Sequence, residues 1–413
     1  MNPSQDLWQV DLTSLVYGGD AMGRLPDGRA VFVPYALPGE KVRVRLIEEK
    51  KGHAHASLVE VLLPSPERIT PHCRHFSDCG GCHYQHLPYE RQLEIKRSIL
   101  REQLKRIANL SEAPVDPVVP SPNPWNYRNS LQFHLTADGK IGFQATDSRR
   151  VVVISECHLP EEALNETWPQ LEFEPLAGLE RVELRQGAGE ELLLILEGDA
   201  DQAPEFQTEA RLSAVYTSGG KMQLLAGEEF IWMEVLNRAF KVSAGSFFQV
   251  NSRQAEVMVE HLLSILPLSS QTTVLDLYCG VGLFSAFMAP RVNRCVGIEI
   301  SPWTCDDFTI NLDEYDNVEL YVGAAESVLP GLEFKADMVV MDPPRSGVDK
   351  IVLDEVIRMQ PVLIAYVSCD PATLARDTRR LLSGGYHLER VTPFDMFPQT
   401  YHIESISLFR LGP

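Results

Sequence analysis

The sequence predicts an α/β protein in three parts: a small β-barrel, a central α+β segment, and a C-terminal doubly wound domain on a mostly parallel sheet. Three observations carry this. From about residue 246, the apolar runs "TTVLDLYCG", "RCVGIEIS", "ADMVVMDPP" and "VLIAYVSC" alternate with helical stretches, the pattern of parallel strands buried on both faces. Residues 1–62 instead form short alternating runs parted by "YGGDAMG", "LPGE" and "KKGHA", as strands of a small antiparallel barrel do. Between them, strand-like runs such as "SLQFHLTA" and "ELLLILEG" follow one helical stretch, "PYERQLEIKRSILREQLKRIA". The expected boundaries are 1–63, 64–245 and 246–413, with "LPSPERITP" at 63–71 as a linker, and 413 residues suffice for that many domains.

Composition narrows the function. No apolar run reaches the roughly 18 residues of a membrane span, and "MNPSQDLWQV" lacks a basic segment followed by an apolar core, so a cytoplasmic protein with reduced thiols and no membrane partner is expected. A net charge of −20 argues against a simple basic nucleic-acid binder. The sign is uneven, however. Residues 63–110 hold more bases than acids, so any contact with phosphates belongs to the first part of the chain. A monomer without an obligate protein partner is the default.

Eight cysteines under reducing conditions point to metal or catalysis before disulfides. "CRHFSDCGGC" spaces Cys73, Cys79 and Cys82 as C-x5-C-x2-C, and Cys157 in "ISECHLP" completes four. Spacing alone leaves zinc and an iron–sulfur cluster open, and His72, His75 and His83 are near enough in sequence to serve zinc. Cys279, Cys295 and Cys305 read as packing residues.

In the C-terminal part, "VLDLYCGVGLFS" at 274–285 is a strand, a glycine turn and a helix start; Gly280 and Gly282 let a ligand approach the backbone. Glu299 ends the next strand, 23 residues after Asp276, where an acid can accept hydrogen bonds from ribose hydroxyls. No third glycine follows for a pyrophosphate, which favours a nucleoside without phosphates and suits S-adenosylmethionine. A tight turn and a strand-end acid without ligand are the plain alternatives. Asp342-Pro343-Pro344 ends the third strand, and Arg345 stands where enzymes methylating amides often carry an aromatic residue.

"YVSCDPATLARD" at 366–377 places Cys369 at the end of a further strand, between Ser368 and Asp370. A thiolate there can add to carbon 6 of a uracil ring, turning inert carbon 5 into a nucleophile. The chemistry also needs a base. "QTYHIESISLF" at 399–409 offers Glu404, and period two turns it the same way as His402; a carboxylate in an apolar site has the raised pKa that suits proton abstraction. The structural alternatives are a buried cysteine and a solvated strand-edge charge.

"AGSFFQVN", "DLYCGVGLFS", "GIEIS", "DPPRSG", "VSCDPATLARD" and "HIESISLF" together resemble the RNA 5-methyluridine (uracil-carbon-5) methyltransferases, over most of the chain. The resemblance implies a Rossmann-like S-adenosylmethionine domain, Cys369 as nucleophile and Glu404 as base. It also implies Gln249, Tyr278, Glu299 and Asp342, with the Gly280 turn, as donor contacts; Leu283 stands where many members have Asn. "YGGDAMGRLPDGRAVFVPYALPGEKV" is similar to the OB-like TRAM barrel, and one branch of the family pairs that barrel with C-x5-C-x2-C and a distant cysteine holding a [4Fe–4S] cluster. That domain set implies an RNA substrate, 23S rRNA first and tRNA second. Trp125, Tyr127, Arg128 and Asn129, with Arg29, Lys41, Arg43 and Arg45 of the barrel, are candidate RNA contacts. Cytosine carbon-5 methylation usually has Pro or Thr before its cysteine, and a non-catalytic RNA scaffold would have no use for Cys369 and Glu404 together.

Overall fold

The computed structural model describes residues 7–146, 148–175, 178–189, 191–200, 203–205, 207 and 211–412. Strands β1 (Leu7–Leu15), β2 (Ala21–Arg24), β3 (Ala30–Val33), β4 (Lys41–Glu49) and β5 (His53–Leu63) close into a barrel in the order β1-β2-β3-β5-β4. Alternate side chains fill it: Val10, Leu12, Val31, Val33, Val42, Val44, Ala54 and Ala56 are buried, as period two requires. The barrel is not wholly antiparallel as expected, because β3 and β5 run parallel. A closed ring with an odd number of strands must contain at least one such pair.

Helix α1 (Tyr89–Ala108) follows the cysteine segment and stops at Asn109 in the left-handed region (φ +61°). The central sheet comprises β6 (Ser130–Leu135), β7 (Ile141–Gln144), β8 (Val151–Val153), β9 (Leu179–Gln186), β10 (Leu192–Gly198), β11 (Ser213–Ser218) and β12 (Lys221–Ala226), in the order β12-β11-β10-β9-β6-β7-β8. A short helix, α2 (Glu162–Thr167), lies between β8 and β9. A hairpin, β13 (Phe230–Val235) and β14 (Arg238–Ser243), leads to the C-terminal part.

There, β15 (Thr273–Leu277), β16 (Arg294–Glu299), β17 (Val318–Val322), β18 (Met338–Met341) and β19 (Leu363–Ser368) are mutually parallel. Strands β20 (Tyr386–Phe394) and β21 (Glu404–Leu411) add an antiparallel edge, giving the order β17-β16-β15-β18-β19-β21-β20. Helices α3 (Ser252–Ile265), α4 (Leu283–Met288), α5 (Pro302–Asn311), α6 (Ala325–Val328), α7 (Lys350–Met359) and α8 (Pro371–Ser383) flank it. Val274, Leu275, Val339, Val340, Ile364 and Ala365 are inaccessible, so both faces are covered, as the continuous apolar runs predicted.

Packing crosses the boundaries read from the sequence. Ile99, Leu100, Leu104 and Ala108 of α1 share a core with Leu374, Ala375 and Leu381 of α8. The chain after α1 then runs beside β20: Asp116 N donates to Val391 O (2.9 Å) and Val119 N to Pro393 O (2.8 Å). The hairpin joins the C-terminal core through Ile231, Met233, Phe240 and Val242. Among the described residues no helix is long and apolar enough to cross a membrane.

Candidate active site

The strand order reverses between β15 and β18, with β16 and β17 on one side and β19 on the other. Ligand crevices of open parallel sheets lie at the carboxyl ends of the strands at such a reversal. After β15 the chain turns tightly: Tyr278, Gly280 and Gly282 have φ of +62°, +56° and +91°. A Cβ on Gly282 would sit 2.3 Å from Leu312 Cδ1, whereas one on Gly280 would meet no atom within 4 Å. Gly282 is therefore held by packing, and Gly280 borders open space. Leu283 turns into the apolar core.

Glu299 ends β16 with its carboxylate fixed: Oε2 accepts from Gly280 N (3.1 Å), and Oε1 from Ile300 N (2.8 Å) and Ser301 N (2.9 Å). Beneath the turn lies Asp276, 1% exposed. Its Oδ2 accepts from Ser285 Oγ (2.6 Å), and its Oδ1 has no partner among the described residues. Burial pushes this carboxyl up to about 7; the Ser285 bond opposes the rise and Glu299 adds to it. Gln249 stands just before α3, its carbonyl bonded by Asn129 Nδ2 (2.9 Å). Asp342 follows β18, and its N–H donates to Leu277 O (3.2 Å), so the Asp342 loop and the Tyr278 turn leave the sheet together. Burial, then Asp276, raises Asp342 to about 7. An orphan buried oxygen, a turn facing open space and two poised acids fit a small polar ligand bearing positive charge.

Cys369 immediately follows β19. Ser368 pairs with Ser405 of β21, so the next ladder position sets Cys369 beside Glu404. Its neighbours explain the abrupt turn: Asp370 Oδ1 caps α8 by accepting from Ala372 N (2.9 Å) and Thr373 N (2.8 Å), and Pro371 occupies the first helical position. Burial, then Glu404 and Asp342, pushes the thiol up to about 12, with Arg345 pulling the other way. Glu404 is 4% exposed; burial first and Asp342 second hold it well above the usual carboxylate range, against Arg345. Cys369, Glu404, Asp342 and Arg345 thus form one electrostatic group.

His402 departs from expectation. It precedes β21, which begins at Glu404, so strand period does not relate the two. Its Nε2 lies 3.5 Å from Arg345 Nη2, and burial and Arg345 lower its pKa to about 3, leaving it neutral. Phe248 packs near Phe240, while Phe247 is 68% exposed. Sequence reasoning missed Tyr17, which opens the "YGGD" turn of the barrel: its hydroxyl donates to Asp370 Oδ2 (2.9 Å) and its ring meets Tyr401 edge-on at 5.6 Å. Two expected RNA contacts are interior instead. Tyr127 is buried with its hydroxyl on Pro398 O (3.0 Å), and buried Asn129 bonds Gln249 O and Ser252 Oγ.

Cys73, Cys79, Cys82 and Cys157 line one cavity of about 60 Å3 together with Phe76, Leu131, Phe143 and Ile154. Cys73 Sγ accepts from His75 N and Cys79 Sγ from Gly81 N, both at 3.4 Å. Burial raises all four thiols, Cys157 to about 11. Among the described residues no group of three or more His, Cys, Asp or Glu side chains is arranged to hold a metal ion, so the expected metal ligation by Cys73, Cys79, Cys82 and Cys157 is not seen. His83 does not face this cavity: its ring lies 4.5 Å from that of Tyr401, and His75 Nε2 accepts from Ser155 N (2.9 Å). Cys279, Cys295 and Cys305 are buried, as packing residues should be.

The family described as tRNA (uracil-5-)-methyltransferase matches residues 228–410, and the TRAM domain matches residues 9–59. An uncharacterized RNA methyltransferase of Halalkalibacterium halodurans is 33% identical, with 98% of this chain and 97% of that one covered. One from Bacillus cereus is 35% identical over 97% and 95%. The crystal structure of Pyrococcus abyssi tRNA (uracil-54, C5)-methyltransferase in complex with S-adenosyl-L-homocysteine superposes with a TM-score of 0.74 at 27% identity, covering 97% of this chain and all of that one. The barrel, the reversal-point crevice and the full-length relatives agree: the chain belongs to the RNA uracil-5-methyltransferase family.

Proposed function

We propose that this enzyme methylates carbon 5 of a uridine in structured RNA, ribosomal RNA first, through a covalent bond between Cys369 Sγ and carbon 6 of the uracil. The observation that carries the reading is the grouping of Cys369, Glu404 and Asp342 at one edge of the sheet: Glu404 and Asp342 both raise the Cys369 thiol, and Asp342 raises Glu404. S-adenosylmethionine in the crevice supplies an electrophilic methyl on a sulfonium. Gln249, Tyr278, Gly280, Glu299 and Asp342 line its place, with Glu299 held for two ribose hydroxyls.

Cys369 gives up its proton to water and adds to carbon 6; the ring's π pair moves towards carbon 5 and oxygen 4, and carbon 5 takes the methyl, the sulfonium leaving as a neutral thioether with the broken bond's electron pair. Arg345 favours both anions, the thiolate and the Glu404 carboxylate. Glu404 removes the carbon 5 proton, and the pair left behind restores the double bond and expels the sulfur. Its raised pKa makes it the stronger base once ionised. The base must be unpaired or extruded for carbon 6 to be reached.

The four thiols line one largely apolar cavity, and two of them already accept N–H bonds; on the family resemblance they would be the residues that hold a [4Fe–4S] cluster through their thiolates. Its place in this reading is structural, since methyl transfer moves no electron. The segments 1–63, 64–245 and 246–413 then carry the RNA-binding barrel, the cysteine segment and the methyl-transfer chemistry, although hairpin β13–β14 packs into the C-terminal core and α1 onto α8.

RNA carrying 5-fluorouridine tests the mechanism: the fluorine cannot leave as a proton does, so a methylated covalent adduct should persist with the natural protein and be absent with Cys369→Ala. An adduct in that variant would refute it. The Pyrococcus neighbour favours a second target, tRNA. Mapping of 5-methyluridine in a deletion strain decides, by its loss from ribosomal RNA or from tRNA.

A further inference from the structure

The outer wall of the barrel carries a group of rings that the catalytic reading leaves unused. In β3 and β5, Val31, Val33, Ala54 and Ala56 point inward and are inaccessible. Strand alternation therefore turns Phe32, His53 and His55 outward, where all three are half-buried. Phe32 stands opposite His55 in the ladder, their rings 5.3 Å apart and tilted by 31°. His53 lies 5.9 Å from Phe32 and 5.6 Å from His55. The adjoining row across β2, β3 and β5 is Arg24, Ala30, His53. Ala30 contributes only a methyl to that row, between Arg24 and His53.

The charges around it are unevenly spent. Glu49 is taken by Arg29 (3.0 Å) and Glu48 by Lys50 (3.2 Å). Among the described residues Arg24 bonds only the Gly28 carbonyl, and exposed Lys51, at the turn into β5, has no carboxylate partner. Of the barrel bases expected to meet RNA, Arg29, Lys41 and Arg43 are instead paired with Asp27, Asp11 and Glu60. Asp20 Oδ2 lies 4.0 Å from His55 Nδ1 and belongs to the turn closed by Val16 N on Asp20 O (2.9 Å). The same turn carries Tyr17, bonded to Asp370 beside Cys369. The ring group and the nucleophile are thus linked through one tight turn.

We propose that Phe32, His53 and His55 are a stacking platform for an unpaired base flanking the target uridine, with Arg24 and Lys51 beside its phosphates. This rests on the RNA-uridine reading above. A protein of net charge −20 gains little RNA affinity from its long-range field, so local stacking with a few free cations is the means left to it; stacking tolerates any base because every base offers a π face.

The test is equilibrium binding of the full chain to a single-stranded oligouridylate and to an RNA duplex of equal length, at low and high salt. Phe32→Ala should weaken the single-strand complex about 5- to 140-fold, the range for one lost base stack. The factor should be equal at both salt concentrations, because a ring releases no counterion. Phe32→Tyr should restore binding, duplex binding should not change, and Arg24→Ala should lose affinity chiefly at low salt. Equal binding by wild type and a folded Phe32→Ala or His55→Ala protein overturns the platform, as does an equal loss on duplex. The uridine reading stands or falls separately, on the 5-fluorouridine adduct of the wild-type protein.

Discussion

Replacing Asp276 by Asn should stabilise the C-terminal sheet, and by an amount that depends on pH. The Asp276 carboxyl is 1% exposed and titrates near 7 in the folded chain, against an ordinary 3.8. Between those values the native state holds a proton that the unfolded state has released, so unfolding free energy falls as pH rises. At 1.36 kcal/mol per pH unit the loss across the window is about 4 kcal/mol, complete above neutrality. Asp276→Asn carries no such linkage. Whatever its amide costs in hydrogen bonds is the same at every pH, so its advantage over wild type should grow by about 2 kcal/mol between pH 5 and pH 7 and level off above about pH 8. Relief of Asp342, which Asp276 helps to raise, adds in the same direction. Urea unfolding read by hydrogen exchange of β15 and β18 peptides isolates this sheet from the barrel and central segment. A stability difference that stays flat across that range refutes the claim that burial holds Asp276 protonated. Donor binding is linked to the same acids: a sulfonium in the crevice favours their ionised forms, so protons should be released on binding at about pH 6, as calorimetry in buffers of differing ionisation enthalpy would show.

Glu404→Gln should still form the sulfur–carbon bond and transfer the methyl but leave the carbon 5 proton in place, cutting turnover about 10²- to 10⁴-fold; a denaturation-resistant protein–RNA band should then accumulate on ordinary uridine RNA. Lys96→Met removes one half of a fully buried pair, Lys96 Nζ on Asp395 Oδ1 at 2.6 Å, and should cost about 3–5 kcal/mol in chemical unfolding, most of it recovered by adding Asp395→Leu. Cys82→Ser should lower iron content and visible absorption while sparing S-adenosylhomocysteine affinity, because the cysteine cavity and the Gly280 turn share no lining residue.

What was legible in the sequence was local. The Cys369 turn is written in four consecutive residues, since Asp370 caps and Pro371 starts the helix that ends the strand; the Gly280–Gly282 turn and the strand-end acids are likewise set by near neighbours. What was not legible joins distant positions. Tyr17 and Asp370 are 353 residues apart and Lys96 and Asp395 are 299 apart, and nothing in either neighbourhood announces the other. Tyr127 and Asn129 looked like surface aromatic and polar groups, but the loop before β21 and the residues preceding α3 cover them. Period two along "QTYHIESISLF" relates His402 to Glu404, yet strand pairing begins only at Glu404.

Several long-range contacts converge on one segment, Asp395–His402, which leads into Glu404. Lys96 of α1 holds Asp395 and the Phe397 carbonyl (3.0 Å). Asn251 bonds the Met396 carbonyl (3.2 Å), and Tyr127 the Pro398 carbonyl. Gln399, at φ +68°, accepts at its carbonyl from His83 N (2.8 Å) and Tyr84 N (3.0 Å), and at its side-chain oxygen from Gln92 Nε2 (2.9 Å). His83 and Tyr84 directly follow Cys82. A non-glycine residue in the left-handed region persists only where its surroundings over-determine it, and here the surroundings are the end of the cysteine segment and the start of α1. A cluster held by Cys73, Cys79, Cys82 and Cys157 would therefore have a use in a reaction that moves no electron: it would fix the backbone that fixes Gln399, and through it the approach of Glu404. Its loss should accordingly slow removal of the carbon 5 proton more than formation of the sulfur–carbon bond.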